Sequence, residues 1–225
     1  MQASFVHLRV HSEFSMIDGL VRIKPLMKAV VDAGMNTVAL TDFCNLFAAV
    51  KLFTAATEMG IKPIIGSDLP CHEAVSPADI SSLVLLCQNE QGYKNLTCLV
   101  SKAYQEGQHQ GQPRVHYEWL SEHADGLIAL SGGKSGIIGR ALISGDKDKA
   151  YTWAHHFSKL FPKRFYLEIQ RTGRRDELIY NEAIIEMAQS LQLPLVATND
   201  VRFLQPQDFE AHEARVCIHH GEMLS

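Results

Sequence analysis

The sequence is short of most features that would place it quickly. It contains no run of 18 consecutive apolar residues, so no segment is expected to cross a membrane as a helix. It has no Cys-x-x-C pair. Its five cysteines (Cys44, Cys71, Cys87, Cys98 and Cys217) are odd in number and scattered, which argues against a disulfide framework or a zinc–thiolate knuckle. The opening Met1-Gln2-Ala3-Ser4-Phe5 lacks a basic stretch followed by an apolar run, so no secretory signal is expected and a cytoplasmic setting with reduced thiols follows. A basic excess is missing too: 21 Lys+Arg stand against 25 Asp+Glu, a net charge of −4, which argues against a protein that coats DNA. There is no low-complexity segment, and membership of the disordered or collagen-like classes is excluded by 46% apolar and 20% charged residues. What is present is 225 residues, enough for one large domain or two small ones, and 11 histidines, which raise the question of a metal enzyme.

Short apolar runs alternate with amphipathic stretches of helical length. Strands are expected at 4–10, 36–40, 62–66, 83–87, 126–130, 165–170 and 193–197. Helices are expected at 21–33 (stopped by Gly34), 46–59 (closed by Gly60), 91–104, 174–191 and 207–219. This alternation predicts a parallel sheet with crossover helices, and about seven strands favour a closed β/α barrel over an open sheet. Residues 106–114, rich in Gly and Gln, read as a polar loop, and 73–78 as a weaker turn.

In a β/α barrel the chemistry sits at the C-terminal ends of the strands. Those ends here carry Arg9 and His11, then Asp42, Asp68, and finally Asp200 and Arg202. Within each i, i+2 pair the side chains share a face. Asp is also common after strands for reasons of turn geometry alone. Other suggestive stretches fail on spacing. Ser131-Gly132-Gly133-Lys134-Ser135-Gly136 has Ile128 where a P-loop needs its first glycine. His155-His156 and His219-His220 are adjacent on helices and point apart, and His212-Glu213 lacks the second histidine of H-E-x-x-H. His109, His116 and His123 fall in or near the polar loop.

The segments 5–19 (FVHLRVHSEFSMIDG), 39–46 (ALTDFCNL), 60–66 (GIKPIIG), 91–96 (QGYKNL), 101–104 (SKAY), 126–132 (GLIALSG) and 196–203 (VATNDVRF) run in order along nearly the whole chain. Together they resemble the N-terminal polymerase and histidinol phosphatase (PHP) domain of bacterial DNA polymerase III α subunits. The resemblance implies a distorted seven-stranded (β/α) barrel over residues 1–225. It also implies a slightly truncated piece of a much longer polypeptide that synthesises DNA, with the magnesium-dependent polymerase region absent here.

Active PHP domains bind up to three divalent metals, and the resemblance places their ligand positions at Arg9, His11, Asp42, Phe43, Asp68, Ser82, Gly133, Thr172, Asp200 and Arg202. Most nitrogen ligands of the pattern are missing, and two are arginines, which have no lone pair for a metal. The resemblance therefore implies a non-catalytic module with no catalytic residue and no metal cofactor of its own. Its expected partners are the rest of the polymerase chain and the proofreading exonuclease subunit, with weak or no direct DNA binding and no membrane contact. Ion pairs of Arg9 and Arg202 with Asp42, Asp68 and Asp200 are expected to stand where the metals stood. The alternative is an active metal-dependent phosphoesterase or built-in proofreading nuclease.

Overall fold

The computed structural model describes residues 5–76 and 79–224. In chain order the elements are α1 (Ile23–Asp32), β1 (Thr37–Leu40), α2 (Ala49–Glu58), β2 (Lys62–His72), β3 (Ser81–Cys87), α3 (Glu90–Gln105), β4 (Gln108–His109), β5 (Gln112–Pro113) and β6 (Val115–His116). They continue with α4 (Leu120–His123), β7 (Leu127–Leu130), α5 (Ile137–Ile143), α6 (Lys147–Leu160), β8 (Phe165–Gln170), α7 (Glu177–Leu191), β9 (Leu195–Thr198) and α8 (Phe209–His220). Single 3-10 turns cover Glu13–Ser15, Tyr117–Trp119, Gly133–Ser135 and Pro206–Asp208.

The main sheet runs β1-β2-β3-β7-β8-β9, with β6 paired to the far end of β2. It is mixed, which corrects the expected all-parallel arrangement: β3 runs antiparallel to both β2 and β7. Residues 62–72 form one long strand whose second half hairpins into β3, because only a short connection separates them and no helix can fit there. The expected first strand is also revised. Ser4 lies outside the described residues, and the segment after it makes only single bridges, His7 to Val38 and Val10 to Val201. Those bridges join the two edges of the sheet. The Ala39 amide donates to the His7 carbonyl (2.8 Å), and the His11 amide donates to the Val201 carbonyl (2.9 Å), so the segment stitches β1 to the end of β9. The expected polar loop at 106–114 is instead ordered as the β4–β5 hairpin, closed by the Arg114 amide donating to the Gly107 carbonyl. Of the expected turn at 73–78, residues 77 and 78 lie outside the described set; the Ser76 amide closes a turn onto the Glu73 carbonyl.

Strand alternation then layers the inside of the barrel. Ala39, Val84, Leu86 and Leu130 are buried together with Leu8, Ile64, Ile128, Tyr166 and Val196 packed on them, so nearly every strand contributes to an apolar plug. Two residues further along each strand, on the same face, polar groups follow: Asp68 after Ile64 and Gly66, Gln170 after Tyr166 and Glu168, Asp200 after Val196 and Thr198. On β3 the direction is reversed, so Leu86 and Val84 lead to Ser82 at its beginning. The opposite faces of the strands pack under the helices. A large core links β2, β3, β7 and β8 to α3, α5, α6 and α7 around Leu69, Leu83, Leu85, Leu96, Phe157 and Tyr180. A smaller one holds α1 and α2 on β1 through Met27, Val30, Val38 and Leu52. Among the described residues no helix is long and apolar enough to cross a membrane.

Candidate functional site at the barrel mouth

The apolar plug ends in a layer of buried charge. Arg9 is 4% exposed and its guanidinium touches three carboxylates at once. Nη2 lies 2.6 Å from Asp68 Oδ2, Nε 3.2 Å from Asp200 Oδ1, and Nη1 3.3 Å from Glu168 Oε1. Its remaining N–H capacity goes to the Gly132 carbonyl (3.3 Å) and Ser82 Oγ (3.1 Å). All the groups that meet this planar fork come from different strands, so the arginine ties β2, β3, β7, β8 and the end of β9 together.

Arg202 repeats the arrangement one step outward. Nη2 is 2.7 Å from Asp200 Oδ1, and Nη1 donates to Asp18 and to His11 Nδ1, the latter at 2.7 Å. Arg174, half-exposed, completes the shell of Asp200 through Oδ2 at 2.8 Å. Asp200 itself sits at φ 48°, a left-handed conformation costly for a residue with a Cβ and tolerated where several partners over-determine the side chain. His11 is fully buried and its Nε2 lies 3.2 Å from Asp68 Oδ2. Its Nδ1 faces both Arg202 Nη1 and Asp18 Oδ1, the latter at 3.6 Å, so the ring sits between two carboxylates and a guanidinium.

The pKa values follow from this packing. Burial by itself would raise the Asp68 and Asp200 carboxyls. The Arg9 guanidinium is the largest opposing influence on both, and it holds them well below the usual carboxylate range with help from His11 and Arg202. Asp18, partly buried, is lowered to about 2 through His11 and Arg202. Burial works against the charge on Arg9, yet Asp68, Asp200 and Glu168 keep it firmly protonated.

The expected site positions did not include Glu168, nor Asp18, Arg174, Gln170 and Thr198 around the same charges. Glu168 is fully buried on β8, and Oε1 takes hydrogen bonds from Gln170 Nε2 (3.0 Å), Thr198 Oγ1 and Arg9, while Oε2 has no partner. A usable signal was present: in Phe165–Gln170 a charged residue occupies an inward position two residues after Tyr166.

The expected positions separate into two groups. Arg9, His11, Asp68, Ser82, Asp200 and Arg202 are brought together, with Ser82 Oγ donating to Asp68 Oδ1 at 2.5 Å. Gly133 borders the cluster through Gln170, whose amide oxygen would lie 3.0 Å from a Cβ at that position. The neighbouring Gly132 is required: it sits at φ 78° and a Cβ there would come within 2.1 Å of the Ser82 carbonyl oxygen.

Asp42, Phe43 and Thr172 engage elsewhere. Asp42 was expected to pair with the arginines. Instead it accepts from the Ser12 amide (2.6 Å), Ser12 Oγ and Ser15 Oγ, because the 3-10 turn at Glu13–Ser15 delivers these donors to it. Phe43 packs against the large core. Thr172 caps Glu177 at the start of α7, which begins there rather than at Arg174. The Lys134 ammonium donates to the Arg175 carbonyl (2.8 Å), consistent with a structural turn rather than a phosphate loop.

A buried layer of carboxylates, arginines and a histidine over an apolar plug, at one end of a curled sheet wrapped by helices, places the chain in the class of (β/α)-barrel proteins. The chain belongs to the PHP domain family, whose profile matches residues 7–172. Curated relatives named DNA polymerase III subunit alpha match it throughout. The Pseudomonas aeruginosa protein is 48% identical over 224 residues (100% of this chain, 19% of the relative). The Vibrio cholerae protein is 48% identical over 220 residues (98% and 19%), and the Escherichia coli protein 46% identical over 220 residues (98% and 19%). The chain thus spans about a fifth of the length of these relatives. Among solved structures, a protein assigned as a metal-dependent phosphoesterase from Bifidobacterium adolescentis superposes with TM-score 0.59 at 9% identity over 95% of this chain and 96% of that one. An amidohydrolase from Chromobacterium violaceum does so with TM-score 0.55 at 13% identity over 93% and 96%. At such identities these two establish the shared barrel fold.

Proposed function

We propose that this chain is the N-terminal PHP module of a replicative DNA polymerase III α subunit, acting within the longer polypeptide as a non-catalytic structural and docking unit for the proofreading exonuclease subunit. The observation that carries the non-catalytic part is the Arg9 guanidinium lying against Asp68, Glu168 and Asp200. His11, Asp68 and Asp200 each offer a ligand atom within 4.8 Å of the others, which is metal-site spacing. But the same Asp68 and Asp200 oxygens that would bind a cation already hold the fixed charges of Arg9 and Arg202. Phe43 and Thr172 offer no nitrogen ligand, and Ser82 and Gly133 are poor substitutes. A divalent cluster therefore does not fit these residues, and no hydrolytic step is assigned to them. In this reading the arginines took over the electrostatic task of the metals, since leaving the carboxylates buried and unpaired would cost on the order of 3–5 kcal/mol for each pair broken.

Two measurements test the reading. Metal analysis of protein purified without chelator is expected to find well under one divalent ion per chain; roughly two or three zinc or manganese ions per chain would restore the phosphoesterase alternative. Calorimetric titration with the exonuclease subunit of the same organism is expected to give a saturable 1:1 complex, and no heat at micromolar concentrations would remove the docking role.

A further inference from the structure

Helix α8 has no buried residue among those described, so apolar packing does little to seat it. Two polar side chains hold it instead, and both reach the same turn at the start of the chain. The Arg215 guanidinium donates to three main-chain carbonyls: Nε to Met16 (2.8 Å), Nη1 to Gly19 (3.0 Å) and Nη2 to Glu13 (3.5 Å). His212 Nδ1 meets the Asp18 carbonyl at 2.8 Å.

That turn has a fixed base and a tip. At the base, the Ser12 and Ser15 hydroxyls donate to the Asp42 carboxylate, and the Glu13 amide donates to the Val21 carbonyl at 2.9 Å. The tip, residues 16–19, carries the Asp18 side chain over the barrel mouth. Its carboxylate takes a hydrogen bond from Arg202 Nη1 and lies 3.6 Å from His11 Nδ1. Met16 sits at φ 63°, a backbone conformation costly for a residue with a Cβ, and its carbonyl is one of the three that Arg215 holds. Strain at the tip favours its release, and α8 opposes it.

We infer that α8 is a latch on the barrel mouth: Arg215 and His212 hold the 16–19 tip down, and displacing α8 lets the tip lift and withdraw Asp18 from Arg202 and His11. The mouth then has two states. In the closed state Arg9, Arg174 and Arg202 face Asp18, Asp68, Glu168 and Asp200, three fixed cations against four carboxylates. In the open state Asp18 leaves this set, and Arg202 Nη1 and His11 Nδ1 turn to solvent. A continuous run of hydrogen bonds joins α8 to the tip and the tip to the mouth, so the coupling acts in both directions.

Hydrogen exchange of the full-length polypeptide, read peptide by peptide by mass spectrometry, tests both directions. Arg215→Ala should speed exchange in residues 14–20 about 10-fold or more, because the Leu20 amide, which donates to the Arg202 carbonyl at 2.8 Å, is then freed by each lift of the tip. Asp18→Asn should in turn speed exchange in residues 210–217 of α8 several-fold, although it touches that helix only through the turn. In both variants the β2–β3 hairpin should exchange as in the parent. Arg215→Lys keeps the charge, but one ammonium does not span three carbonyls, so it should fall between the parent and Arg215→Ala. Faster exchange confined to the element that carries the substitution, with the other at the parent's rate, would overturn the latch. So would faster exchange in the β2–β3 hairpin, which would show the whole domain loosening rather than the tip.

Discussion

Arg9→Gln is expected to lower the melting temperature of this chain by about 6–20 °C. Removing one partner from a buried ion pair leaves uncompensated charge and costs about 3–5 kcal/mol, and a domain of this size loses about 2–4 °C per kcal/mol. Three features make Arg9 the place for the largest effect. Its guanidinium is the shared partner of Asp68, Glu168 and Asp200, all of them nearly or fully buried. It donates to Gly132 and Ser82 as well, so glutamine leaves several acceptors short. And its contacts span strands that no single backbone ladder connects. Arg9→Lys keeps the charge but not the fork, and should fall between the parent and Arg9→Gln. Calorimetric unfolding of the three proteins decides the matter. A shift of less than about 2 °C for Arg9→Gln would show that the cluster does not depend on its arginine.

The second large effect is a loss of stability in acid. Asp68, Asp200 and Asp18 all have folded-state pKa values below their unfolded ones. For depressed carboxylates the stabilisation is fully present above the unfolded value, near 4, and is lost as pH falls through the folded value. Asp18, lowered from 3.8 to about 2, contributes about 2 kcal/mol that disappears across that interval. Asp68 and Asp200 are also held well below the usual carboxylate range, so their contributions likewise fall as pH drops below 4. Urea unfolding at a series of pH values should therefore show stability dropping steeply from pH 4 downward. In Arg202→Gln the slope should be shallower, because Asp18 and Asp200 lose a partner that depresses them. A flat profile between pH 5 and pH 2.5 in the parent would contradict the ion-pair picture.

The histidines show how far composition misleads. Eleven of them suggested a metal enzyme. Among the described residues, His11 alone of the histidines stands in the mouth. His72 and His116 pack against each other as tilted rings with centres 4.2 Å apart, and His212 Nδ1 meets the Asp18 carbonyl. Motif order was the better guide. The family resemblance points to Arg9, His11, Asp68, Ser82, Asp200 and Arg202, and the structure joins all six in one network. It also placed Asp42 among the arginines, where the fold does not. A motif fixes which strand a residue ends, but the donors that reach its carboxylate come from the 3-10 turn after the first segment, and turn geometry has no periodic signature.

The sequence by itself determined the alternation of helices and strands, the barrel class through its ordered motifs, and the presence of arginines where nitrogen ligands are expected. Only the tertiary structure decided that β3 runs antiparallel, that Glu168 joins the cluster, and that residues 7–11 close the sheet through single bridges rather than a full strand. The division has a physical cause. Hydrophobic period and side-chain chemistry are local properties, written into neighbouring residues. Strand direction, and the pairing of one guanidinium with carboxylates 59, 159 and 191 positions away, depend on which chain segments the packed barrel brings side by side.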